Sequence, residues 1–390
     1  MKAMEKLDAH LKTRVSELRK MQKDGKKIIG YAAGNYMPEE LVDAAGAVPV
    51  QLIRGGDPEP VMECTTYGVR AVDTYCRSQI SYRMSGDEPL YNMLDLLVCP
   101  STDHNIRIIG EWWHFWADSN VFKYGVPHMQ DDLGLDYYLG SLQLLKEKLE
   151  SFTGNKITDE KLKDAIAKAN RMRELFKEIS LMRKSGPPPI SSSRFVKLSH
   201  AALWADRDVM LDVLESLVKE LKETKPAPDE GKARVMLTGS TLAMGDYKVL
   251  DLMEKTDAEI VIEFFDEGMV SYWENVDLNG DLMKALSDRY FMKQVIAAYF
   301  RPSRPRMDHL VQLARDFAVD GILWYELLFR DGIDCQSHRF PPILRKEYDI
   351  PFLKLQSDWD REEKGVYATR IEAFVEMMRK NKEKALAGKK

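Results

Sequence analysis

The chain has 390 residues, 44% of them hydrophobic and 31% charged, with a net charge of −5 and a pI near 5.9. That length exceeds one small core and fits two or three domains. The acidic balance excludes the broad basic face that a nucleic-acid partner needs, but leaves room for a local basic pocket that takes a small anion.

No apolar run reaches the roughly 18–20 residues of a transmembrane helix, and the charged stretch 1–27 has no signal-peptide core. The expected compartment is therefore the cytoplasm, with no membrane partner. Leu7, Leu11, Val15, Leu18 and Met21 recur at helical spacing and predict a helix over 1–26. Residues 27–31 read as a strand. Pro38, with Glu39 and Glu40 behind it, starts a helix that stops at Gly46, and 47–53 is the next strand. This β–α–β opening is the unit of a parallel sheet. A third strand spans 94–100. It leads into the loop 101–105, a helix with Trp112, Trp113 and Trp116, and a strand over 121–127. Ligands of open α/β sheets sit at the carboxyl ends of strands, so the stretch 99–105 holds a privileged place.

From 135 to about 183 the pattern is helical, Gly186-Pro187-Pro188-Pro189 breaks it, and 201–223 resumes it. Residues 225–231 have linker composition. Four more strands follow, over 233–240, 259–265, 320–325 and 350–355, then an amphipathic helix over 369–387 with a short basic tail. The expected fold is α/β, with an N-terminal lobe over 1–133, a helical segment over 134–224 and a C-terminal lobe over 232–390.

Gly239, Ser240 and Gly245 form a glycine turn after a strand, but match neither G-x-G-x-x-G nor a Walker A loop. ATP hydrolysis at a P-loop and the usual NAD site are thereby disfavoured. There is no nucleophile elbow, H-E-x-x-H or Cys-x-x-Cys. Of the seven histidines, His104 and His338 stand out only because each lies near a cysteine. The cysteines at 64, 76, 99 and 335 are no disulfide framework and are too dispersed for a ferredoxin-type run. They are either buried small hydrophobes or cluster ligands that the fold gathers.

Several segments together resemble the subunits of 2-hydroxyacyl-CoA dehydratases and ATP-dependent benzoyl-CoA reductases. The stretches 27–31 and 38–49 are similar to that family's opening. Tyr75-Cys76 and 94–100 resemble its cluster-binding segments, and 145–173 and 369–376 resemble its helical middle and its close. The resemblance implies two flavodoxin-like parallel-sheet lobes with an intervening helical segment, and a [4Fe-4S] cluster on three cysteines. It implies an acyl-CoA substrate, a homologous second subunit, and a separate iron–sulfur ATPase that hydrolyses ATP and injects single low-potential electrons to form a ketyl radical anion. Cys76 matches the first ligand. An ungapped match places Asp103 at the second and Arg330 at the third.

Three arrangements follow. Cys76, Cys99 and Cys335 form a shifted ligand set; Asp103 replaces one thiolate; or the partner subunit holds the cluster. Cys64 reads as structural. Glu40, at a helix start beside a strand end, is a candidate acid or base, or a partner of the helix dipole. Arg107, with Arg301, Arg304 and Arg306, is a candidate for the CoA phosphates. The altered stretch 330–342 inclines the reading to a benzoyl-CoA reductase-like subunit. A 2-hydroxyacyl-CoA dehydratase subunit and a non-catalytic partner subunit are the alternatives.

Overall fold

The computed structural model describes residues 1–225, 228–267, 272–295, 297–298 and 300–387. Pro226 and Ala227 of the expected linker, and the basic tail after 387, lie outside the described residues.

Strands β1 (Ile28–Tyr31), β2 (Val48–Gln51), β3 (Leu96–Ser101) and β4 (Val121–Gly125) form one sheet, and β5 (Ala233–Thr241), β6 (Ala258–Glu267), β7 (Gly321–Leu327) and β8 (Phe352–Ser357) form a second. The orders are β2-β1-β3-β4 and β6-β5-β7-β8, and every pairing is parallel. The two sheets therefore repeat one topology, as the flavodoxin-like expectation required. Helices cover both faces of such a sheet, so its central strands are continuous apolar runs. All seven residues of β7 are buried.

The N-terminal lobe carries α1 (Lys2–Lys23), α2 (Glu39–Ala44), α3 (Pro58–Glu63), α4 (Thr74–Ser85) and α5 (His104–Ala117). Next come α6 (Asp132–Thr153), α7 (Asp159–Leu181), α8 (Ser192–Ala202) and α9 (Arg207–Glu223). The second lobe carries α10 (Lys248–Met253), α11 (Leu282–Ser287), α12 (Arg304–Asp316), α13 (Asp331–Tyr348) and α14 (Glu363–Ala387). Just past α7, the fully buried Arg183 grips Glu263 of β6 through two hydrogen bonds of 2.6 and 2.7 Å. It also donates to the Ile260 carbonyl at 3.0 Å.

The stretches around Cys76 and Cys335 are helical. Cys76 sits in the first turn of α4, where Asp73 accepts its backbone N–H at 2.6 Å. The helix from Thr74 to Tyr82 is buried on all sides, so it has no apolar stripe to betray its period. Cys335 lies within α13, which tolerates Pro341 and Pro342 in its interior.

Gly239 is the tightest point of the second sheet. Its φ is +145°, and a Cβ there would lie 1.6 Å from the Tyr325 carbonyl oxygen of the neighbouring strand. Gly239→Ala is therefore expected to destabilise the chain by at least about 3 kcal/mol. Denaturant unfolding checks this, and an unchanged midpoint would contradict the packing described.

Candidate functional site

In each sheet the chain reverses direction around the first strand, and ligands of doubly wound folds bind in the crevice at the carboxyl ends there. In this molecule the two crevices face each other. Behind β2 and β5, Arg54 and Met244 form an isolated bridge between the lobes, and the Gly55 N–H donates to the Met244 carbonyl at 3.0 Å.

Behind β3 and β7 the lobes meet through charge. Asp103 caps α5, its Oδ1 accepting the N–H groups of Asn105 and Ile106 at 2.9 and 3.2 Å. Arg330 is the residue before α13. The two occupy equivalent places in the two sheets, each preceding the helix that follows the third strand. Arg330 Nη2 lies 3.2 Å from Asp103 Oδ2, and its Nη1 lies 2.8 Å from Oδ2 of Asp73. The side chains are 7% (Arg330), 8% (Asp103) and 0% (Asp73) exposed, so water screens the triad little. Asn105 adds a neutral crossing, accepting the Asp73 N–H at 3.1 Å and donating to the Phe329 carbonyl at 3.3 Å. On α4, Thr74 and Arg77 both bond to Asp358 behind β8.

The four cysteines are not gathered here. Cys76 is buried beside the triad. Burial, and then the charge of Asp73, hold its thiol far above the ordinary value, so it remains a neutral thiol. Cys99 lies mid-strand in the core, where a Cβ on Gly110 of α5 would come within 3.0 Å of its sulfur; burial pushes it up to about 12. Cys64 is buried and likewise raised to about 12 by burial. Cys335 is exposed on α13. Among the described residues, no group of three or more His, Cys, Asp and Glu side chains is arranged to hold a metal ion. A [4Fe-4S] cluster takes several thiolates. The triad position offers one protonated thiol, two committed carboxylates and a cation, and this donor set does not fit the cluster.

Glu40 is fully buried and bonds Arg173 and the Tyr290 hydroxyl, the latter at 2.9 Å. Burial alone would raise its carboxyl, but the charge and hydrogen bond of Arg173, with a backbone hydrogen bond and the Arg289 charge, together leave it below the ordinary value. Arg107 is exposed on α5. Arg304 is exposed and pairs with Asp308 at 2.7 Å. Arg306 is buried, donates to Gln336 at 2.8 Å and lies over the Phe264 ring.

The open space lies beside these groups. A cavity of about 150 Å³ is lined by Asn35 and Tyr36 from the loop behind β1, by Phe264 of β6, and by Trp273, Lys293 and His309. Among the described residues, His309 Nε2 is buried there with no partner. Burial, and then the Arg306 charge, lower its pKa, which favours the neutral imidazole. A second cavity of about 70 Å³ shares Asn35 and Arg289 with the first and is also lined by Tyr31, Glu39, Arg173 and Arg207. Burial, and then the neighbouring Arg173, lower Arg289 to about 10. None of Lys293, His309, Arg289 and Trp273 lies in a motif, and only the fold assembles them.

Paired doubly wound lobes, with a cavity between the loop after β1 and the edge strand β6, define a two-lobed α/β protein. The chain matches the family described as 2-hydroxyglutaryl-CoA dehydratase, D-component, over residues 35–378, and it belongs to that family. It is 25% identical to the (R)-phenyllactyl-CoA dehydratase beta subunit of Clostridium sporogenes, over 93% of this chain and 94% of that one. It is 26% identical to the (R)-2-hydroxyglutaryl-CoA dehydratase beta subunit of Acidaminococcus fermentans, over 93% and 95%. It is also 26% identical to a benzoyl-CoA reductase subunit of Thauera aromatica, over 78% and 79%. It is thus a subunit of the acyl-CoA enzyme type. No helix among the described residues is long and apolar enough to cross a membrane.

Glu40→Ala strands Arg173 in the core and is expected to cost about 3–5 kcal/mol at neutral pH. The folded carboxyl lies below its ordinary 4.5, so its contribution is complete above that pH and fades as pH falls through the folded value. Denaturation of both proteins at neutral and strongly acidic pH should show the difference shrinking in acid; a constant difference would contradict it.

Proposed function

We propose that this chain is the β-type subunit of a 2-hydroxyacyl-CoA dehydratase-like enzyme. In this reading a homologous second subunit provides the iron–sulfur chemistry, and a separate iron–sulfur ATPase supplies single electrons. The observation that carries the proposal is the interlobe cavity of about 150 Å³ between the loop after β1 and the edge strand β6. Its volume is that of an apolar cavity able to take benzene, so it suits the acyl head of a thioester and leaves the CoA body outside.

The chain's own residues then bind and orient. Phe264 and Trp273 supply apolar walls. His309, neutral and with Nε2 unpartnered among the described residues, bonds a hydroxyl or thioester oxygen. The reaction removes the 2-hydroxyl and a C3 hydrogen as water, leaving a 2-enoyl thioester with no net oxidation.

The curated relatives include dehydratase beta subunits and one reductase subunit, which supports the class and leaves the reaction to experiment. The stretch 330–342, the sequence ground for a reductase, is helical from Asp331 and not an extended loop; its departure from the dehydratase-like ligand pattern stands.

The test combines this chain with its homologous second subunit and the ATPase, anaerobically with ATP and a reductant, and supplies 2-hydroxyacyl and aromatic acyl thioesters. Dehydration is the expected result. Ring reduction alone, or no turnover of either class, would reject the dehydratase reading. His309→Ala should raise KM about tenfold, the worth of one hydrogen bond, and an unchanged KM would remove His309 from the site.

A further inference from the structure

We infer that this subunit carries no iron–sulfur cluster of its own: where the family resemblance places three thiolates, a buried Asp73–Arg330–Asp103 lock joins the two lobes. The inference rests on family membership and on the positions of Asp103 and Arg330, not on the reaction proposed above.

Asp73 and Asp103 each set a carboxylate against the Arg330 guanidinium, and the first turns of α4, α5 and α13 are gathered around them. Helix N-termini favour net negative charge, as they would favour an anionic cluster. The lock thus satisfies the same field with side chains. Space is also taken. The planar fork of Arg330 reaches Asp73 with one nitrogen at 2.8 Å and Asp103 with the other at 3.2 Å, spanning the gap between α4 and α5.

Neither carboxylate is available as a substitute iron ligand. Asp73 Oδ1 already accepts the Cys76 N–H, and Asp103 Oδ1 accepts two N–H groups of α5. Drawing Asp103 onto iron would take a buried counter-charge from Arg330. Carboxylates are in any case hard ligands where iron–sulfur sites use soft thiolates. Cys76, the one sulfur left at the position, is 0% exposed and packs as a small hydrophobe.

The same geometry says what would restore a cluster. Asp103 and Arg330 sit at the two helix starts facing Cys76, so D103C/R330C places three thiols at the junction and removes both the cation and one carboxylate.

The experiment is anaerobic reconstitution of the full-length chain with iron and sulfide, alone and bound to its homologous partner. Iron, acid-labile sulfide and visible charge-transfer absorbance are read on the isolated subunit after separation. Wild type is expected to retain neither iron nor sulfide, and D103C/R330C to retain both in equal amounts. Wild-type protein that retains iron and sulfide, and loses them in C76A, would overturn the inference. A cooperatively melting D103C/R330C protein that stays iron-free would overturn the placement of the lock at the ligand positions. If the double variant does not fold, the wild-type measurement decides alone. Failure of thioester turnover leaves these readings unchanged, so the two proposals fall separately.

Discussion

One guanidinium holds the two halves of this molecule in register. Arg330 reaches from the start of α13 to carboxylates at the starts of α4 and α5, in a setting that excludes most water. Each partner is anchored a second time, since both aspartates also cap the helices they precede. The orientation of three helices is therefore coupled to a single side chain. The cavity draws Asn35 and Tyr36 from one lobe and Phe264 and His309 from the other, so its shape depends on that register.

A second device serves the same end from behind. Helix α7 and the turn after it present two buried arginines. Arg173 bonds Glu40 in the first lobe, and Arg183 bonds Glu263 in the second. The helical segment thus behaves as a spine with one cationic grip on each sheet. Buried ion pairs are weak evidence for raw stability, because desolvation offsets attraction. Their effect here is geometric: each pair is satisfied in one arrangement only.

The sheets are legible in the sequence, and the junction is not. Runs such as Leu96-Leu97-Val98-Cys99 announce buried parallel strands by their composition, and the alternation with helices sets the lobes apart. Helix α4 is hidden because Thr74, Arg77, Ser78 and Gln79 are all buried, so no stripe distinguishes inside from outside. Cys99 and Cys335 stand out by element type alone. One belongs to a strand packed against Gly110 and the other to an exposed helical surface, and spacing carries no record of either. Glu40 is conspicuous for its place at a helix start, yet its partner Arg173 lies 133 positions away. Such pairings are set by the topology, and a linear pattern does not contain them. Asp103 and Arg330 are visible as departures from the family pattern, but their contact spans 227 positions.

Opposite charges at equivalent points of two repeated lobes also constrain descent. If both positions once held cysteine, the order of exchange was not free. Arginine at 330 meets the buried Asp73 carboxylate whether or not position 103 has changed, whereas aspartate at 103 without that arginine adds a second carboxylate beside Asp73. Arginine first is therefore the gentler order, and loss of Arg330 with Asp103 still in place is the harder way back. Asp73 thus sets the direction in which a lineage can trade sulfur for charge at this junction.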